Sequence, residues 1–349
     1  MAWTGRTVLV TGGCSFIGSH LVDALVDRGA RVRVVDDLSS GTRENIEHWI
    51  ERGVVEFKQA NLLDSGVAEA ACQGVQVVFH LAATHGGRGY IDTHQAACST
   101  NLALDGLVFR AAHAAKVEKV VFASSGCVYP TSLQRDPKEM VFLTEDLVTP
   151  PYEADDMYGW AKLMGELTLK AYHHDYGLRC ASLRYFTAYG ERCPENHAVV
   201  AMIARAFVKQ NPFVVWGTGE QIRNWTHVSD IVEGTILAAE HVDDGTAINL
   251  GTTERTRVLD AAHEVLKRTS LDVPIQLDPS KPTGPYNRVC DNSLGKRLLG
   301  WEPKVSFDEG LERTIRWYYE SKDRAAVTEQ LEGLLNERGN ESATRARRP

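Results

Sequence analysis

The sequence predicts an α/β protein built on a doubly wound parallel sheet, with a second, smaller lobe of mixed strands and helices. Through the first half of the chain, short runs of β-branched and apolar residues alternate with segments of helix length. Such alternation is typical of parallel βαβ units. After about residue 186 the alternation loosens and Gly- and Pro-rich turns become frequent. The 349 residues are enough for both parts.

The first predicted strand, 7–11, leads into a glycine-rich turn and a helix. Glycines permit a tight turn and a close approach of helix to sheet, and the amides at the helix N-terminus suit a pyrophosphate. The second strand, 31–35, is followed by two acidic residues, which suit the ribose hydroxyls of NAD and repel the extra phosphate of NADP. The segment therefore predicts an NAD-binding Rossmann domain. Its predicted contacts are Gly12, Gly13, Ser15, Phe16, Ile17, Gly18, Asp36 and Asp37.

Later segments continue the alternation of strands and helices. We expect strands over 54–59, 75–83 and 119–125, and helices over 41–50, from about 91 to 115, and over 155–176. Ligands of doubly wound sheets lie beyond the carboxyl ends of the strands. Residues at two of these ends are therefore predicted to meet the cofactor, and they are Asn61, Leu62, Leu81, Ala82 and Ala83.

Three parts of the chain are predicted. Residues 1–186 with 228–250 form the NAD-binding domain, because 231–250 returns to a helix followed by a strand. Residues 187–227 with 251–320 form the substrate-binding lobe. Residues 321–349 are highly charged and then rich in Gly, Asn, Ser and Arg, which predicts a frayed helix and a partly disordered tail.

The composition excludes several kinds of protein. The formal net charge of −8 argues against a nucleic-acid partner. No apolar run reaches membrane-spanning length, and the N-terminus lacks the layout of a signal peptide, so we expect a cytoplasmic protein without a membrane partner. The seven cysteines lack CxxC and CxxH spacing, so free thiols and no metal site are expected.

A phenol and an ammonium lie one helical turn apart in the predicted helix 155–176. Tyr158 and Lys162 share one helical face, and a lysine beside a tyrosine lowers the pKa of the phenol, which can then act as a base. Ser125 ends the preceding strand and can hydrogen-bond the same substrate oxygen. These three residues are the predicted centre of hydride transfer.

With these motifs the sequence resembles the nucleotide-sugar epimerases and dehydratases of the extended short-chain dehydrogenase/reductase family. The resemblance covers residues 6 to about 318 and rests on TGGCSFIG, DDLSSG, HLAA, SSGCVYP, YGWAK, LRYFTAYG, WGTGEQIRNWTHVSD and RVCDNSLGKRLLGW. It implies that Arg223 and Arg288 clamp the diphosphate of a nucleotide sugar. It also implies a homodimer formed by the helices over 91–115 and 155–176. Ser15 stands where the family usually has its middle glycine.

Residues 125–130, SGCVYP, distinguish among the family members. The sugar 4,6-dehydratases have an Asp-Glu pair where this chain has Gly126 and Cys127, so the acid that expels the C6 hydroxyl is missing. A cysteine followed by aliphatic-Tyr-Pro resembles GDP-mannose 3,5-epimerase and GDP-fucose synthase. The segment 82–90 resembles their substrate loop, with Gly86, Gly87 and Arg88 as its binding residues. The context of His197 resembles the histidine that GDP-fucose synthase pairs with its cysteine.

The resemblance implies an NAD-dependent epimerase of a GDP- or UDP-linked sugar, most like GDP-mannose 3,5-epimerase. Oxidation of C4 to a ketone acidifies the hydrogens on C3 and C5, and inversion needs an acid and a base on opposite faces of the ring. A thiol and an imidazole that titrates near pH 7 suit these roles, which are assigned to Cys127 and His197. Thr187 instead resembles UDP-glucuronate 4-epimerases, so a UDP-sugar 4-epimerase is the alternative. A 4-ketoreductase and a non-catalytic NAD-binding regulator are further alternatives.

Overall fold

The computed structural model describes residues 2–136 and 139–337. Its strands, in chain order, are β1 (Thr7–Thr11), β2 (Arg31–Asp36), β3 (Val55–Gln59), β4 (Val77–His80), β5 (Lys119–Ser125), β6 (Arg179–Tyr185), β7 (Ala188–Tyr189), β8 (Phe213–Trp216), β9 (Ile222–Arg223), β10 (Thr226–His227), β11 (Asp244–Leu250), β12 (Thr256–Arg257), β13 (Ile275–Asp278) and β14 (Asn287–Arg288). Its helices are α1 (Phe16–Asp27), α2 (Glu47–Glu51), α3 (Val67–Cys72), α4 (Arg88–Thr93), α5 (Gln95–Ser99), α6 (Asn101–Ala114), α7 (Asp156–Tyr176), α8 (Ala198–Phe207), α9 (Val228–His241), α10 (Val258–Arg268), α11 (Ser293–Leu299), α12 (Phe307–Ser321) and α13 (Arg324–Asn336).

Seven parallel strands form one large sheet in the spatial order β11–β6–β5–β4–β1–β2–β3. At the centre, Val8 of β1 lies opposite Val32 on one side and Val77 on the other. The chain winds outward from β1 in both directions, which confirms the doubly wound α/β prediction. A crevice forms at the carboxyl edge where the strand order reverses, between β1 and β4.

The large sheet separates two hydrophobic layers. Val8 and Val10 of β1 point into one layer and Leu9 into the other, as the two-residue period of a strand requires. Helices α1 and α9 cover the first face, and α3, α6 and α7 cover the second. Because both faces are buried, the rigid sheet can position the side chains at its carboxyl edge.

The helix expected from about 91 to 115 is three shorter helices, α4, α5 and α6. The first break is at His94, whose backbone angles (φ −123°, ψ 46°) are not helical, and its ring nitrogen Nδ1 hydrogen-bonds the carbonyl of Tyr90 at 3.1 Å. The second break is at Thr100, whose hydroxyl donates to the carbonyl of Ala97 at 2.6 Å. Arg88 and Ile91 of the first piece, α4, line the cavity described below.

Small sheets complete the structure outside the large one. Strand β8 pairs with β13, β9 lies between β12 and β14, and β7 pairs with β10. They belong to the segments expected to form the substrate-binding lobe, and that division of the chain stays a prediction. No helix among residues 2–136 and 139–337 combines the length and the apolarity that crossing a membrane requires.

The end of the described chain is more ordered than the charged composition predicts. In the stretch from residue 321, where a frayed helix was expected, α13 forms, and Asp323 caps it by accepting a hydrogen bond from the amide of Ala326 at 2.8 Å. Val327 and Leu335 are buried, so the helix has an apolar face that packs against the rest of the molecule. Residues 338–349 lie outside the described residues.

Candidate active site

A cavity of about 330 Å³ opens at the carboxyl edge of the large sheet. Its walls come from the segments after β1, β4, β5 and β6, and from the small sheets on the opposite side. It brings together these predicted site residues: Ser15, Phe16, Ile17, Leu81, Ala83, Gly86, Gly87, Arg88, Ser125, Cys127, Tyr158, Lys162, Thr187, His197, Arg223 and Arg288. The predicted residues outside its lining are Gly12, Gly13, Gly18, Asp36, Asp37, Asn61, Leu62 and Ala82.

The glycine turn between β1 and α1 is closely packed. Gly12 has φ +71°, and a Cβ there would lie 2.9 Å from the amide nitrogen of Ala82. A Cβ at Gly18 would lie 2.1 Å from the carbonyl oxygen of Gly12, so the turn and the helix need both glycines. Ser15 fits because its hydroxyl donates a hydrogen bond back to the carbonyl of Gly12 at 2.6 Å. The turn is therefore a cradle of backbone that suits a pyrophosphate.

The two acidic residues after β2 have different surroundings. Asp36 is buried, and its carboxylate accepts hydrogen bonds from the amides of Cys14 at 2.9 Å and Leu38 at 2.8 Å. Asp37 is exposed and accepts one from the amide of Ser39 at 2.9 Å. Of the two, Asp36 is therefore the carboxylate that lies against the glycine turn. A carboxylate at this position repels the additional phosphate of NADP.

Ser125 and Tyr158 meet at the end of β5. The side chain of Ser125 is hydrogen-bonded to the phenol of Tyr158. Burial raises the pKa of Tyr158, the neighbouring Cys127 raises it further, and the Ser125 hydrogen bond lowers it. Lys162 was expected to lower this pKa, but its Nζ lies 6.0 Å from the centroid of the Tyr158 ring and burial is the main influence.

The ammonium of Lys162 is buried in the cavity wall. Its Nζ lies 4.6 Å from the centroid of the Phe122 ring and has no hydrogen-bond partner within residues 2–136 and 139–337. Burial lowers the pKa of Lys162, while the charge of Asp105 raises it. An unpartnered donor beside Tyr158 suits the hydroxyls of a cofactor ribose. Together with the glycine turn, these residues fit NAD.

Cys127 lies in the short 3₁₀ helix Gly126–Val128 that follows β5. Its amide donates to the hydroxyl of Ser125 at 3.1 Å, which ties the cysteine to the centre of hydride transfer. Its sulfur accepts a hydrogen bond from Nη1 of Arg288 at 3.2 Å. The sulfur of Cys127 is therefore in direct contact with a guanidinium, in the same cavity as Ser125.

The other nitrogens of Arg288 are bonded within the protein. Nε donates to Gln134 at 2.9 Å and Nη2 to Asp155 at 2.7 Å. Asp155 also accepts from Arg88 at 2.8 Å, so one carboxylate links two arginines. Burial lowers the pKa of Arg288, but Cys127 and Asp155 raise it more, so the guanidinium stays charged. Arg288 therefore contacts the thiol from the cavity lining, and its expected role as a clamp on a diphosphate stays a prediction.

Arg223 is the arginine best placed for an anion. Its Nη1 donates to the carbonyl of Ile222 and its Nη2 to that of Thr283, both at 2.8 Å. Burial, together with repulsion from Arg288 and Arg88, lowers the pKa of Arg223 to about 9. An anionic group in the cavity would relieve this repulsion, which suits the diphosphate of a nucleotide sugar.

His197 lies at the start of α8, where two loops meet. A Cβ at Gly87 would lie 1.6 Å from the carbonyl oxygen of Asn196, so only glycine lets the substrate loop pack this closely. Burial lowers the pKa of His197 to about 4, and its Nε2 has no hydrogen-bond partner in the described part of the chain. The expectation of an imidazole that titrates near pH 7 is therefore wrong for this structure, where His197 is neutral at that pH.

The sequence analysis missed an aromatic wall of the cavity. The ring of Trp216 lies between two cations, with its centroid 5.7 Å from the guanidinium of Arg205 and 5.4 Å from Nζ of Lys281. Leu335 of α13 also lines the cavity. Trp216 is the first residue of the motif WGTGEQIRNWTHVSD. An aromatic residue at a strand end is as typical of a hydrophobic core as of a ligand site, so the motif did not indicate this role.

Cysteines and metal ligands give no further chemistry. The seven cysteines are all buried and free. Among the residues that the structure describes, no group of three His, Cys, Asp or Glu side chains is arranged to hold a metal ion.

A doubly wound sheet with a glycine cradle and a Ser–Tyr–Lys group at its carboxyl edge defines a nicotinamide-dependent enzyme that acts on a carbon bearing a hydroxyl. The model of the NAD dependent epimerase/dehydratase family matches residues 8–251, and the chain belongs to this family. Its cofactor is NAD.

Three similar proteins illustrate the range of the family. GDP-mannose 3,5-epimerase of Arabidopsis thaliana is 30% identical over 325 residues, which cover 91% of this chain and 83% of that protein. UDP-glucuronic acid decarboxylase 1 of the same plant is 30% identical over 313 residues, covering 88% and 68%. The structure of UDP-glucose 4-epimerase from Thermus thermophilus in complex with NAD has a TM-score of 0.79 at 28% identity, and covers 91% of this chain and 100% of that chain. The epimerase and the decarboxylase are equally similar to this chain in sequence. The residues of the site are therefore the basis for choosing between the two reactions.

Proposed function

We propose that the protein is an NAD-dependent epimerase of a nucleotide-diphosphate sugar that inverts C3, C5 or both through a transient 4-keto sugar, most like GDP-mannose 3,5-epimerase. The observation that carries the proposal is the position of Cys127. Its sulfur contacts Arg288 at 3.2 Å in the cavity that also contains Ser125, Tyr158 and Lys162. A thiol in contact with an arginine, in the same cavity as these three residues, suits proton transfer at a carbon next to C4.

The first step is the oxidation of C4. Tyr158 takes the proton of the C4 hydroxyl, and Ser125 orients the same oxygen through its bond with the phenol. Lys162 binds the ribose of the cofactor through its Nζ, which has no hydrogen-bond partner among the described residues. NAD, when bound, accepts the hydride of C4 and later returns it, so the overall reaction has no net redox change.

The second step is inversion beside the ketone. The ketone acidifies the hydrogens on C3 and C5, and the thiolate of Cys127 removes one of them to form an enolate. His197 returns a proton from the opposite face. Its pKa of about 4 is too low for an acid at neutral pH. The phosphates of a bound nucleotide sugar are negatively charged and raise this pKa, so the proton donor forms only with substrate in place.

A UDP-sugar 4-epimerase is the second candidate, because Thr187 lines the cavity and the Thermus thermophilus enzyme has the same fold. In that case Cys127 only packs against its neighbours. A 4-ketoreductase is disfavoured by the negative charge of Asp36, and a non-catalytic regulator by the intact contact of Ser125 with Tyr158. A homodimer in the cytoplasm remains part of the proposal through the family resemblance.

Solvent deuterium distinguishes the two epimerases. Enolate chemistry exchanges a carbon-bound hydrogen with water, whereas hydride transfer to and from NAD does not. We expect incubation in D₂O with a panel of GDP- and UDP-sugars, followed by NMR, to show deuterium at C3 or C5 of the accepted sugar. Cys127→Ser should lose most of this label and still form NADH absorbance, because the three residues that oxidise C4 remain.

Two further variants complete the experiment. Cys72→Ser removes a buried thiol from α3, outside the cavity lining, and should leave the labelling rate of the folded enzyme unchanged. His197→Asn should slow inversion more than exchange, since it removes the proton donor and not the base. A product inverted only at C4 and free of deuterium would contradict the 3,5-epimerase and support the 4-epimerase.

A further inference from the structure

Two buried side chains of opposite charge, on neighbouring helices, each have one polar atom without a hydrogen-bond partner in the described part of the chain. Lys162 of α7 is 1% exposed and Asp105 of α6 is 2% exposed. Neither Nζ of Lys162 nor Oδ2 of Asp105 has a hydrogen-bond partner among the residues that the structure describes. A buried polar atom without a partner is costly, and two such atoms on groups of opposite charge suggest that the groups interact.

The packing of α6 against α7 places Asp105 beside the helix face that carries Lys162. A Cβ at Gly165 would lie 3.0 Å from Oδ2 of Asp105 and 2.5 Å from Cζ of Phe122, so this glycine leaves space for the carboxylate. Gly165 and Lys162 are three residues apart and so share one face of the helix. The ammonium lies 4.6 Å from the centroid of the same Phe122 ring. The two charges therefore border one small space around Phe122.

The carboxylate of Asp105 is held by a chain of hydrogen bonds from the cofactor side of the sheet. Nε2 of His80 contacts Oδ1 of Asp105 at 3.0 Å, and Nδ1 of His80 contacts the hydroxyl of Thr11 at 2.7 Å. The Thr11 hydroxyl also accepts hydrogen bonds from the amides of Leu81 and Ala82, each at 3.1 Å. Asp105 is thus fixed in orientation, with one oxygen bound to His80 and the other towards α7.

We propose that Asp105 is a positioning residue: held by His80, it is the counter-ion that keeps the ammonium of Lys162 charged in the wall of the active site. The proposal rests on the role assigned above to Lys162 and adds the residue on which that role depends.

The surroundings of Lys162 show why a counter-ion is needed. The titratable groups that face this region are His80 from β4, Cys98 from α5, Asp105 from α6, Cys127 from the loop after β5, and Tyr158 from α7 itself. Burial lowers the pKa of Lys162, and Asp105 is the group whose charge raises it. Burial also lowers the pKa of His80, which therefore adds no positive charge at neutral pH.

Direct titration of the lysine tests the proposal without any substrate. The full chain, with NAD bound and lysines labelled with ¹³C at Cε, is titrated by NMR, and the signal missing from Lys162→Met identifies Lys162. We expect the pKa of Lys162 to fall by about one unit or more in Asp105→Asn, which keeps the shape and removes the charge. An unchanged pKa would overturn the proposal, and because no sugar is involved, that result would leave the proposed reaction untouched.

Thermal unfolding provides a second measurement and a control. Lys162→Met leaves the charge of Asp105 buried without its counter-ion, so adding Asp105→Asn should raise the melting temperature of that variant, whereas Asp105→Asn alone should lower that of the wild type. Additive effects of the two substitutions would contradict the pairing. Glu69→Gln, at an exposed residue of α3, is the control. It should change neither the pKa of Lys162 nor the difference between the double variant and the sum of the two single variants.

Discussion

The guanidinium of Arg288 donates a hydrogen bond to the sulfur of Cys127, with 3.2 Å between Nη1 and Sγ. The two residues are 161 positions apart, and the same guanidinium is held by Asp155 at 2.7 Å. A guanidinium fixed in this way is held directly against the sulfur. This contact links β14 to the proposed base, and if Cys127 acts as proposed, a change at Arg288 should alter its reactivity.

Arg288→Gln should therefore slow the reactions of the Cys127 thiolate. We expect alkylation of Cys127 by iodoacetamide at neutral pH, followed by mass spectrometry, to slow by about tenfold, because the charge that stabilises the anion is lost. Deuterium incorporation should slow in parallel. Arg257→Gln, at an exposed arginine of β12, is the matched control and should alter neither rate. Equal alkylation rates in Arg288→Gln and the wild type would show that the contact does not activate the thiol.

Tyr158→Phe should abolish turnover and preserve binding. The substitution removes the hydroxyl that takes the C4 proton, and loss of a general base typically costs about 10²–10⁴-fold in rate. Binding of the accepted nucleotide sugar, measured by calorimetry, should stay close to that of the wild type, because Arg223 and the other lining residues are unchanged. Tyr176→Phe, at the exposed end of the same helix, should behave as the wild type. A near-normal rate for Tyr158→Phe would remove Tyr158 from the mechanism.

Asp36 should make the protein select NAD(H) over NADP(H). Its buried carboxylate lies against the glycine turn, through the amide of Cys14, and repels a 2′-phosphate. Asp36→Asn keeps the size of the side chain and removes the charge. Calorimetry should therefore show a smaller difference between the affinities for NAD(H) and NADP(H). Asp37→Asn, at the exposed neighbour, should leave the gap unchanged. Comparable affinities of the wild type for both cofactors would contradict this role.

The sequence predicted those features that depend on local pattern. The turn from β1 to α1 was predicted from the spacing of the apolar residues and of the glycines. The placement of Tyr158 and Lys162 on one helix face was predicted from their four-residue interval. The break of 91–115 into α4, α5 and α6 was not predictable, because each piece has helical composition. Only backbone angles at His94 and the hydroxyl of Thr100 show where the helix stops.

Features that depend on contacts between distant parts of the chain could not be predicted from the sequence. Asp155 joins Arg88 and Arg288, partners that lie 67 and 133 residues away, and neither spacing is a recognisable motif. The environment of His197 is set by the approach of Gly87 to the carbonyl of Asn196, so its burial, and with it its pKa, could not be read from the residues around it.

The pKa of His197 predicts how stability depends on pH. It is about 4 in the folded chain against an ordinary value of 6.5, so between these pH values the unfolded chain binds more protons. The stability contributed by the neutral imidazole is complete above about pH 6.5 and is lost as the pH falls towards 4. From pH 7 to pH 4, we expect the free energy of unfolding, measured in urea, to fall by on the order of 2–3 kcal/mol more in the wild type than in His197→Asn. His174→Asn, at an exposed histidine, should follow the wild type, and parallel curves for His197→Asn would show that His197 keeps an ordinary pKa.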